Sequence, residues 1–144
     1  MGVAMARQTG RFTASILAAV LALTLNASAH HGTAFFSRDQ TDMVTVQGRV
    51  TRFDFRSPHS YLYVETMEAS GETVTWRFES VPVPMMNRQG WTKDSLKPGD
   101  EVTVEAFPLI DKSERFAWLG KVIKADGTIL NPGRTRAIPS WYVQ

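Results

Sequence analysis

Three strand-like stretches, one short helix and two further strands, the first strand long and changing face midway, predict a mainly β chain. That order is the one expected of a five- to six-stranded OB-like barrel with one short helix between strands 3 and 4. A flat meander has no need of a helix at that point, and an Ig-like sandwich needs about seven strands.

The first strand opens at Met43. Val44, Val46, Gly48 and Val50 share one face and Thr45, Gln47, Arg49 and Thr51 the other, the two-residue period of a half-buried strand. Phe53 and Phe55 then carry the apolar face out of phase with it, which a coiled strand serving two sides of a small barrel requires. Gly48 inside the strand predicts a bend or bulge. Ser57-Pro58-His59-Ser60 is a turn, because proline cannot donate to a ladder. Tyr61-Leu62-Tyr63-Val64 is the second strand, and Glu68 to Glu72 a hairpin loop with Gly71 available for positive φ. The third strand, 73–81, alternates Val74, Trp76 and Phe78 against Thr75, Arg77 and Glu79.

A helix of one or two turns runs from about Pro84 to Gln89, opened by proline and closed by Gly90, with Trp91 and Leu96 beneath it. Pro98-Gly99 centres a type II turn into a fourth strand, 101–107. The loop through Asp111 to Glu114 leads to a fifth strand, 115–124, and Asp126-Gly127 turns the chain into a short sixth segment, 128–130. Residues 43–130 therefore form the barrel domain. Residues 131–144 read as a C-terminal tail in which Trp141 and Tyr142 are the residues fit to dock.

Ahead of the barrel, residues 1–29 have the three zones of a secretory signal peptide: Arg7 and Arg11, an apolar run from Phe12 to Leu25, and the cleavage triplet Ala27-Ser28-Ala29. The expectation is a periplasmic protein with no stable membrane anchor after cleavage, the apolar run being short for a span. Removing the two arginines lowers the 16 Lys and Arg to 14, equal to the 14 Asp and Glu, so no basic field remains for nucleic acid. With no cysteine there is neither a disulfide nor a thiol nucleophile. Residues 30–42 form an N-terminal arm, whose adjacent Phe35 and Phe36 are expected to hold it against the domain.

Cleavage after Ala29 would give the mature chain a histidine end. His30 then offers an α-amine and Nδ1 in one chelate ring, and His31 and His59, the only other histidines, supply further nitrogens. Copper(II) favours such tetragonal nitrogen ligation, so the expected metal site is His30, His31 and His59 holding a copper-type divalent ion. An α-amine titrates near pH 8 and imidazole near 6.5, so binding releases protons and weakens in acid. Cleavage after Ala27 would instead place His30 third from the amine, a copper(II) or nickel(II) chelate that does not need His59. The span from His31 to Asp42 reaches at most about 40 Å, so the fold decides whether the ends meet.

Other candidates weigh less. Glu79 can orient a ligating imidazole, but strand alternation reads it as solvated. Met85 and Met86 suit copper(I), but helix packing suits them better. No Ser-His-Asp set is identifiable, and an oxidative copper enzyme weighs less than a binding protein because nothing in the sequence marks a substrate cleft. The competing expectation is a metal-free interaction module that binds an envelope protein or small ligand on the face of strands 2 and 3, through Tyr61 and Tyr63.

Several blocks give the chain a likeness beyond composition: Ala29-His30-His31, Pro58-His59, Trp76-Arg77-Phe78-Glu79, and the run from Gly90 to Asp100 into Val102-Thr103-Val104. In these it resembles the domain-of-unknown-function 6152 family of small exported bacterial proteins. It departs from that pattern at Gly32 and Ser57, without loss of a histidine. The resemblance implies export and an OB-like barrel, and it supplies no activity.

Overall fold

The computed structural model describes residues 33–133 and residue 142. The signal-like segment 1–29, His30, His31 and most of the tail, Trp141 included, lie outside the described residues. Among the described residues no helix is long and apolar enough to cross a membrane.

Among the described residues six strands form one sheet in the order β3-β2-β1-β4-β5-β6. They are β1 (Val44–Asp54), β2 (Tyr61–Met67), β3 (Thr73–Glu79), β4 (Glu101–Pro108), β5 (Phe116–Lys124) and β6 (Ile129–Leu130), with a single helix α1 (Val83–Arg88) between β3 and β4. All neighbours are antiparallel except one parallel pairing, Arg77 to Glu79 of β3 against Phe116 to Trp118 of β5, which closes β1 to β5 into the OB-like barrel. Of the inward positions expected from alternation, Val46, Val50, Val74, Phe78, Val102, Val104 and Ala106 are buried and Val44 and Trp76 partly so, and Leu62, Val64 and Val122 join them in the core.

β1 serves both sides of the barrel because its register slips between Val50 and Arg52, so Phe53 resumes inward packing where alternation alone would turn it out. The slip lies at Thr51 and not at Gly48. Gly48 sits where a Cβ would strike the Glu65 carbonyl, so its lack of a side chain lets β1 and β2 cross closely. α1 carries proline in its first turn and Gly90, at φ 83°, just beyond its end. Met86, Trp91 and Leu96 close the barrel's lower end, and the Trp91 indole N–H donates to the Asn131 carbonyl at 2.9 Å. Met86 thus packs in the core, as expected.

The arm adds to the barrel as a strand fragment. Phe36 bridges Leu109, the Ser37 amide donates to the Pro108 carbonyl, and the Ile110 amide donates to the Phe35 carbonyl. Of the two phenylalanines, Phe36 is buried and Phe35 exposed, because their side chains alternate across this fragment. At the other end Tyr142 docks over Gly120, where a Cβ would stand 2.9 Å from its hydroxyl.

Candidate functional site

Two rows of side chains cross the outer face of the barrel, set by register. Arg52, Tyr63, Arg77 and Phe116 pair successively across β1, β2, β3 and β5, and Asp54, Tyr61, Glu79 and Trp118 form the row beside them. The first row alternates cation and ring, with the Arg52 guanidinium 3.9 Å from the centre of Tyr63 and Arg77 4.0 Å from that of Phe116.

The second row becomes a site because His59 folds over it from the turn between β1 and β2. That turn contains a cis Ser57–Pro58 peptide. His59 Nδ1–H donates to Glu79 Oε1 at 2.9 Å and stands 3.2 Å from the Ser80 carbonyl. Two acceptors at Nδ1 assign the ring proton there, so the neutral ring presents the Nε2 lone pair outward. The His59 side chain remains 27% exposed. Glu79 is only 6% exposed. This corrects the reading of Glu79 as a solvated strand residue: the outward position is covered by His59 and flanked by Tyr61 and Trp118. The Tyr61 hydroxyl is held above its ordinary value, first by burial and then by the Glu79 charge.

Trp118 is the floor of this corner. The His59 ring meets it edge to face at 6.1 Å, and Phe36 meets it at 5.6 Å while also resting on Phe116 at 5.3 Å. The centres of His59 and Phe36 are therefore no more than about 12 Å apart. Asp42 holds the arm in place, accepting from Ser37 Oγ and from Lys112 Nζ, both at 2.7 Å. Those two bonds, that from Lys112 foremost, hold the Asp42 carboxyl below the usual range. Two buried polar atoms at the corner, Trp118 Nε1 and Ser80 Oγ, have no hydrogen-bond partner among the described residues.

Of the three expected ligands only His59 is described, and among the described residues no three His, Cys, Asp or Glu side chains gather as a metal-ligand set. Phe36 and Trp118 had no place in the sequence-level site. A signal for them existed in Phe116-Ala117-Trp118-Leu119, apolar on both faces of its strand, which implies that something covers the outer one.

Fold and corner together define a class: a small OB-like barrel with a carboxylate-braced imidazole on its outer face. The chain belongs to the Family of unknown function (DUF6152), whose profile matches residues 18–116 and so takes in all three histidines, Glu79 and the start of β5. No curated protein matches it.

Proposed function

We propose that the protein is exported to the periplasm, and that its processed end and His59 together hold a copper-type divalent ion. Cleavage after Ala29 supplies the His30 amine and Nδ1, with His31 next in the chain, and His59 Nε2 completes a nitrogen set suited to copper(II). The observation that carries the reading is the brace on His59: a carboxylate and a carbonyl at Nδ1 are the partners that fix the tautomer and orientation of a metal-ligating imidazole. Tether length supports it. His31 lies five residues before Phe36 and can reach about 17 Å from it, more than the separation of Phe36 from His59. His59 and Glu79 alone are too few for a tight site, so the remaining nitrogens fall to the histidine end.

Native intact mass of the exported protein, followed by copper(II) titration, tests this. The expected result is a chain beginning at His30 with one copper retained, and an affinity that falls about 100-fold in His59→Ala. A mature protein that keeps no copper after dialysis, or that binds as well with all three histidines changed to alanine, sinks it. Tight binding that survives His59→Ala in a chain beginning at Ser28 assigns the metal to the amino-terminal chelate alone.

A second reading rests on the Arg52–Tyr63 stack, which sets a cation from β1, paired with Asp54 at 3.2 Å, against a ring on the outer face of β2. That face suits a metal-free module that binds an envelope protein or small ligand. Alanine at Tyr61 and Tyr63 should then abolish capture of the partner from an envelope extract, and alanine at Tyr63 alone should leave copper binding intact.

A further inference from the structure

β3 and β5 pair from Arg77 to Glu79, and upstream of Arg77 β3 runs on without a β5 neighbour, because β5 begins only at Phe116. The β4–β5 connection and the arm frame this open seam, leaving a cleft of about 500 Å³, within the range of small-molecule sites. His59 does not line it. Its apolar wall is Trp76, an inward-facing residue that remains half-buried because the seam exposes it. Phe78 stacks on Trp76 nearly parallel, 6.0 Å between centres and 12° between planes, so the indole is fixed as a flat surface.

The rim carries both signs of charge. Lys112 pairs with Asp42 at 2.7 Å, Arg115 with Glu68 at 2.8 Å, and Glu114 adds a third carboxylate, 3.4 Å from Arg77. These pairs sit at the surface, with the Lys112 side chain 62% and the Arg115 side chain 44% exposed, and surface pairs contribute only about 0 to 1 kcal/mol, so a ligand can replace them. A ligand carrying only an anion would meet three carboxylates, and one carrying only a cation would meet Lys112 and Arg115. One that carries both charges on a single carbon can exchange with the Arg115–Glu68 pair at both poles.

We propose that this cleft binds a zwitterionic α-amino acid with an aromatic side chain: the ring against Trp76, the carboxylate at Arg115 and the ammonium at Glu68. The site is separate from the His59 corner, and its test does not depend on metal.

Calorimetric titration of the copper-free mature protein with L-phenylalanine, 3-phenylpropionate and 2-phenylethylamine decides it. Phenylalanine is expected to bind, and each single-charge analogue to bind at least about tenfold more weakly. Glu68→Gln and Arg115→Gln, both at the exposed rim, should each weaken phenylalanine binding by a similar factor, and Trp76→Leu should abolish it. His59→Ala should leave it unchanged, which separates this cleft from the metal reading. No heat at about 10 mM phenylalanine, equal binding of all three compounds, or loss of binding in His59→Ala overturns the proposal.

Discussion

Phe36 and Tyr142 each bring an end segment of the chain back onto the outside of the barrel, and the two docks differ in what they leave over. Tyr142 meets Phe107 edge to face at 5.1 Å and donates its hydroxyl to one oxygen of Glu105 at 3.0 Å, while Lys121 holds the other oxygen at 2.9 Å. That dock is closed, with its carboxylate engaged on both sides. The Phe36 dock is built on similar ring contacts, yet it has Trp118 Nε1 and Ser80 Oγ without partners among the described residues, and a His59 ring nitrogen turned outward. Buried polar groups are normally satisfied, so the two corners differ in kind: one has two such atoms without partners among the described residues beside a braced imidazole, and the other fastens its tyrosine to a fully engaged carboxylate.

Three substitutions sharpen or break this contrast. Phe36→Ala should have the largest effect, about 3 kcal/mol in urea unfolding, because it empties the space over Phe116 and Trp118. A loss below about 1 kcal/mol would mean that the arm is not docked in solution. Glu79→Gln comes next on the binding side, lowering copper affinity about 10- to 100-fold with little change in melting temperature. An unchanged affinity in Glu79→Gln would reduce the brace to a packing contact. Tyr142→Phe should be mildest, about 1 kcal/mol near neutral pH, with no effect on copper.

The same tyrosine gives a pH signature. Burial first, and then the bond to Glu105, push its hydroxyl above the ordinary value of 10.0, so the folded state favours the neutral form. The stability it contributes is whole below pH 10 and is lost progressively as pH rises beyond it. Urea midpoints should therefore fall more steeply above about pH 10 in the wild type than in Tyr142→Phe. Parallel curves would place the tail elsewhere.

The barrel was legible because its determinants are local. Alternation in Val74 to Phe78, the Pro98–Gly99 turn with Gly99 at φ 98°, and the proline-to-glycine frame of α1 each declare an element within a few residues. Glu79 was misread for the opposite reason. Its burial comes from His59, twenty residues before it, and from Trp118, far downstream, which meets it only through a parallel pairing that no local pattern announces. Gly48 shows the same limit: glycine in a strand reports that something unusual happens, and only the crossing strand tells which. Tyr142 was recognisable as a docking residue, but its place over Gly120 depends on a position more than twenty residues away.

The three-residue parallel ladder from Arg77 to Glu79 is the barrel's clasp, and Glu79 and Trp118, its last pair, are also what His59 rests on. Anything that grips His59 therefore staples the clasp. Occupancy of that imidazole should be felt as a rise in melting temperature and as slower amide exchange along β3, even before any chemistry is measured.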